Sequence, residues 1–161
     1  MTIVLVEGES DAAALRTLAA RLGLPEPRVV PVGGSKGVRR AAAEFTGERI
    51  LGLVDAAERT DFQSVLDTVF VCNPDLEAEL IRALGVDGVV ALIAAQGELA
   101  SFRRLQAQPF LRASSIEHQL ARFFGGRSGN KVRYAPLLAS ALAPEAIPAP
   151  LAALLAGLSS G

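Results

Sequence analysis

Four short runs, Ile3–Val6, Val29–Val32, Ile50–Val54 and Val69–Cys72, carry no charged residue, and segments with helical spacing alternate with them. A strand with one wet face alternates apolar and polar residues. A strand that is apolar throughout is buried on both faces, as in a parallel sheet covered by its own crossover helices. The spacing of Ala12, Leu15, Leu18, Ala19 and Leu22 predicts a helix over 11–22, with Ser10 as N-cap and Gly23 as its stop. A glycine-rich loop, Gly33–Gly37, precedes a helix over 38–45. Asn73-Pro74 opens another helix through Leu84, with Asn as cap and Pro at the first helical position. The expected fold is α/β, a central parallel sheet of about four strands flanked by helices.

From Val86 onward the pattern is helical only, over 86–96, 99–106, 116–124, 132–142 and 151–158. Pro109, Gly125-Gly126, Pro144 and Pro148-Ala149-Pro150 punctuate it. Residues 1–85 are therefore read as the α/β core and 86–161 as a helical extension packed on it. No long flexible linker separates the two, so one continuous domain is expected.

Composition removes several chemistries. Cys72 and His118 each stand alone in 161 residues. There is thus no internal disulfide, no Cys-based zinc site and no Ser-His-Asp triad of the usual form. Sixteen basic and 17 acidic residues leave a formal charge of −1, so no global basic field advertises nucleic-acid binding, although a local basic face is compatible with it. The N-terminus has no signal-peptide pattern and no apolar stretch is long enough to span a bilayer. The expectation is a cytoplasmic protein without a membrane partner.

In open parallel sheets the binding crevice lies beyond the carboxyl ends of the strands, and the acids gather there. Glu7 ends the first apolar run, just before Gly8. A buried strand ends on an unpaired carboxylate only at a cost, so Glu7 meets a cation, meets a basic partner or is exposed. Asp11 lies in the first turn of the next helix. It suits the helix dipole there, yet leans towards the stripe of Leu15, Leu18 and Leu22. Asp55 ends the third strand, with Glu58 three residues on and on the same face if residues 56–59 form a helical turn. In the helix after Asn73, Glu77 falls within the apolar stripe of Leu76, Leu80, Ile81 and Leu84, whereas Asp75 and Glu79 point to the solvated side. Carboxylates without His or Cys make a hard-oxygen site, suited to Mg2+ or Mn2+.

Basic candidates are weaker. Lys36, in the glycine-rich loop, could contact phosphate through a helix start. Gly125–Lys131 is not a P-loop, because Val132 stands where Ser or Thr should hold magnesium and no strand precedes it. Lys131 is still placed to contact a phosphate, with Arg127 and Arg133 beside it as weaker candidates for the same contact. Arg39-Arg40 and Arg103-Arg104 are read as solvated pairs, and His118 as structural.

These residues resemble a known family. Val4–Asp11 is similar to the first motif of Toprim domains, shared by topoisomerases, primases and the overcoming-lysogenisation-defect (OLD) nucleases. Leu53-Val54-Asp55-Ala56-Ala57-Glu58 looks like the second, Asp-x-Asp motif. Phe70–Ile81 resembles the Asp-Leu-Glu-x-Glu-Leu segment of OLD-type Toprim domains, and Lys131 a later lysine in a basic, glycine-containing stretch. The likeness spans about residues 3–140 and is closest to stand-alone Toprim proteins of high-GC bacteria, with no ATPase part within these residues.

The resemblance implies Glu7 as metal-linked general acid/base, with Asp11, Asp55 and Glu77 as metal ligands. It implies Lys131 as the residue that stabilises the reacting phosphate. Ala57 replaces the second Asp of the motif, and Glu58 is placed to substitute one position later. The implied function is Mg2+- or Mn2+-dependent nicking or cleavage of DNA phosphodiester bonds. The alternatives are a non-catalytic module that binds nucleic acid or protein beside a separate ATPase, and a small-nucleotide phosphohydrolase. Self-association is a further partner expectation.

Overall fold

The computed structural model describes residues 1–127 and 129–160. The chain runs β1 (Thr2–Val6), α1 (Glu9–Arg21), β2 (Arg28–Pro31), α2 (Ser35–Glu44), β3 (Arg49–Asp55), a 3-10 turn (Ala56–Glu58), α3 (Arg59–Gln63), β4 (Val69–Cys72), α4 (Leu76–Leu84), α5 (Val86–Ala95), α6 (Leu99–Gln106), α7 (Ile116–Gly125), α8 (Asn130–Ala141), a second 3-10 turn (Pro144–Ala146) and α9 (Ala149–Ser159). The sheet order is β2-β1-β3-β4 and every pairing is parallel. This is the α/β sheet that the four apolar runs predict.

Alternate residues of β1 enter different cores, as the two-residue strand period requires. Val4 and Val6 join Leu53, Cys72, Leu15, Leu18, Leu80, Leu138 and Leu155 on one face. Ile3 and Leu5 join Val54, Val38, Phe62 and Leu66 on the other. The side chains of Ile3, Val4, Leu5 and Val6 are all fully buried. The first core is the larger and includes α1, α4, α8 and α9, so the helical second half covers one face of the sheet. On the other face α2 crosses close to β2. A Cβ at Gly37 would stand 1.7 Å from the Val32 carbonyl oxygen, so only glycine fits there.

Several boundaries differ from the sequence reading. The α1 helix is capped by Gly8 and not Ser10, because Asp11 Oδ2 reaches back 2.8 Å to accept the Gly8 N–H. Ser35, Lys36 and Gly37 form the first turn of α2 instead of a loop. Asp75 caps α4 in place of Asn73, its carboxylate accepting the Ala78 N–H at 2.8 Å, while the Asn73 carbonyl accepts from Arg82. The α3 helix has no counterpart in the sequence reading. The α8 helix begins at Asn130, which places Lys131 in its first turn. No helix among the described residues is long and apolar enough to cross a membrane.

Candidate functional site

The chain steps from β1 to β2 on one side and to β3 on the other, so the topological switch point lies between β1 and β3. In sheets of this kind the crevice opens there, beyond the carboxyl ends. Glu7 follows β1 and Asp55 is the last residue of β3. Two hydrogen bonds tie the end of β3 to the start of α4. Asp55 Oδ1 accepts the Leu76 N–H at 3.1 Å, and the Ala56 N–H donates to the Pro74 carbonyl at 3.0 Å. The tie sets the first turn of α4, and with it Glu77, beside Asp55. Glu77 is only 6% exposed, as its place in the apolar stripe predicts.

Lys131 comes to the same edge from the helical half. Helix α8 lies along α1 and against α4, and the Arg21 guanidinium donates to the Ala139 carbonyl at 2.9 Å near its far end. Lys131 Nζ stands 3.7 Å from Glu77 Oε2 while its side chain stays half exposed. It therefore faces both the buried acid and solvent.

The carboxylates feel one another. Burial, then Asp11 and Glu7, push Asp55 up from 3.8 to about 7. Burial raises Asp11 to about 6, partly offset by the Gly8 hydrogen bond, with Glu77 and Glu7 adding to the rise. Glu7 is raised by burial and by Glu58, and lowered by Lys131. Glu58, at the end of the 3-10 turn, thus acts on Glu7. Buried like charges that share a site shift upward in this way when nothing neutralises them.

Among the described residues no three Asp, Glu, His or Cys side chains close around a single point. The donor set nonetheless suits a hard divalent cation, because every donor is a carboxylate oxygen. Glu7 Oε2 is moreover buried without a hydrogen-bond partner among the described residues. A buried carboxylate oxygen left unpaired is costly, and a cation would relieve that cost. Gly8 adds room beside Asp11, since the nearest atom to a Cβ built there is Asp11 Oδ2 at 3.8 Å.

The remaining candidates are not brought to the acids by any contact. Lys36 is exposed in the first turn of α2. Arg127 and Arg133 both turn to Glu98. Arg133 donates to it in a short hydrogen bond, Tyr134 Oη donates at 2.6 Å and Arg127 Nη1 lies 3.7 Å away. The Tyr134 hydrogen bond and the two arginines hold the Glu98 carboxyl below its usual range. The solvated-face reading of Asp75 and Glu79 also gives way. Asp75 is half-buried and caps α4, and Glu79 pairs with Arg82 at 3.2 Å while accepting the Asn73 N–H at 3.1 Å. His118 is exposed, and its backbone N–H meets the Ser115 cap.

Sheet order, crossover helices and helical cap define an α/β protein built on an open four-stranded parallel sheet. The chain shares this fold with the C-terminal region of the Burkholderia pseudomallei OLD protein, with a TM-score of 0.68 at 18% identity, over 99% of this chain and 96% of that one. Two structures of the C-terminal region of the Xanthomonas campestris pv. campestris OLD protein match with TM-scores of 0.67, also at 18% identity, over 99% of this chain and 94% of theirs. No protein-family model matches the sequence, and no curated protein matches it. The fold implied by the motif resemblance is thus the fold found.

Proposed function

We propose that this protein is a divalent-cation-dependent nuclease of the Toprim type, acting on DNA phosphodiester bonds at the β1–β3 edge. The observation that carries the reading is the gathering of Glu7, Asp11, Asp55 and Glu77 at one sheet edge, with Glu58 acting on Glu7 and Lys131 Nζ 3.7 Å from Glu77. Asp11, Asp55 and Glu77 would hold Mg2+ or Mn2+, with Glu7 and Glu58 at its border. The bound cation would supply charge neutralisation at the phosphoryl oxygens. Glu7, with an unpartnered oxygen, is the group placed to accept a proton from the attacking nucleophile. Lys131, half exposed, is placed to contact a non-bridging oxygen of the phosphate as charge builds on it.

The DNA-cleaving activity is tested by nicking of supercoiled plasmid in millimolar Mg2+ or Mn2+. Wild type is expected to nick, and Glu7→Ala to lose on the order of 10²-fold or more in rate. Equal rates in the two proteins would remove Glu7 from the chemistry.

One observation favours a second reading. Ala57, exposed in the 3-10 turn, offers no carboxylate where the motif's second Asp would stand. A module that binds nucleic acid or protein without cutting would take up no Mg2+ or Mn2+ at millimolar concentration, which calorimetry distinguishes.

A further inference from the structure

Charge is unevenly divided along the chain. Residues 99–143 hold seven Arg and Lys against a single acid, Glu117, although the whole chain carries −1. The structure gathers part of this surplus around a cavity of about 230 Å3 between α6 and the α7–α8 turn. Arg104, Arg122 and Arg127 line it, with Ser101 and Gln108 as neutral hydrogen-bonding groups and no acid in its wall among the described residues. Arg127 is held in place by Glu98 at 3.7 Å and by donation to Ser101 Oγ at 2.9 Å. Arg104 and Arg122 are exposed and form no ion pair among the described residues. Two unpaired guanidinium groups beside a fixed third are arranged to receive an anion with several acceptor oxygens, which guanidinium geometry matches in phosphate. Arg127 shares Glu98 with Arg133 of α8, the helix whose first turn carries Lys131 to Glu77, so the cavity and the acids are served by the same helix start.

We propose that this cavity seats a backbone phosphate of a polynucleotide strand that also passes the acid cluster. The inference rests on the reading of the cluster as a DNA site. Strand affinity then comes from Arg104 and Arg122, outside the carboxylates. An overall charge near zero is compatible with this, because the binding field is local.

The test is fluorescence anisotropy with a labelled oligonucleotide in EDTA, so that binding is read without metal or cleavage. Arg104→Gln/Arg122→Gln is expected to weaken binding roughly tenfold. It should also flatten the slope of log K against log salt by about 0.7–0.9 for each phosphate that is no longer neutralised. Arg39→Gln/Arg40→Gln removes the same charge elsewhere and should leave both values as in wild type. Both pairs are exposed, and far-UV circular dichroism checks that the fold persists. The inference is overturned if the Arg104/Arg122 variant binds as wild type, if the control pair weakens binding equally, if no oligonucleotide binds, or if a labelled mononucleotide binds as tightly as the strand. Nicking assays separate the two readings. Arginine-dependent binding without cleavage by wild type sinks only the nuclease assignment. Cleavage that depends on Glu7, with binding indifferent to both arginines, sinks only the cavity.

Discussion

Asp55 and Asp11 keep protons in the folded chain that they would release when unfolded. Their pKa values rise from 3.8 to about 7 and about 6 through burial and neighbouring carboxylates. A carboxylate raised in this way favours the fold at acid pH, and the contribution is lost as pH climbs from about 4 through the folded pKa. Metal-free protein is therefore expected to lose on the order of 2–3 kcal/mol between pH 5 and pH 8, after allowance for solvent screening. Urea unfolding measures this. Millimolar Mg2+ or Mn2+ at pH 8 should restore part of the loss by binding only the folded form, and a flat metal-free profile would contradict the coupling. Lys131 lends itself to a kinetic test. Lys131→Ala is expected to lower the turnover of nicking roughly 10²–10³-fold, with Lys131→Arg recovering part of it; an unchanged turnover would place Lys131 outside the reaction. At this scale Glu77 was legible, because one helical turn fixes its direction among Leu76, Leu80 and Ile81. The pairing of Arg127 and Arg133 with Glu98 was not legible, because Glu98 lies 29 and 35 residues away in sequence and no local pattern pairs them.

Elements with a strong period were readable, and those set by competition between neighbours were not. The helix α1 carries a long apolar stripe, and its span was legible apart from the cap, where Asp11 reached back past Ser10. The five residues of α3 are too few to show a period, though they bury Phe62. At the start of α4, Asn73 and Asp75 are both good caps, and the Asp55–Leu76 hydrogen bond is part of what selects the later one. Gly37 gives the sharpest prediction for an element. It lies in the first turn of α2, and a methyl group there would strike the Val32 carbonyl. Gly37→Ala is expected to cost about 2–3 kcal/mol in chemical denaturation, whereas a neutral result would mean that α2 can shift off β2.

At the scale of the whole molecule, four apolar strands with helices between them dictated a covered parallel sheet. They did not dictate that β3 crosses to the far side of β1, which creates the crevice between Glu7 and Asp55. Nor did they show that α8 would return to lie on α1. Such placements depend on burial between residues more than a hundred positions apart, as in the Arg21–Ala139 contact, and periodicity carries no record of them. The acids were readable because strand ends in a parallel sheet share one edge whatever the strand order. Lys131's place above them was suggested only by the motif resemblance. The central claim is that this edge is a divalent-cation site, and a Mn2+-soaked crystal tests it most directly. An anomalous peak bounded by carboxylate oxygens of Asp11, Asp55 and Glu77 is the expected result. Clear density for these side chains with no peak among them at millimolar Mn2+ would contradict it.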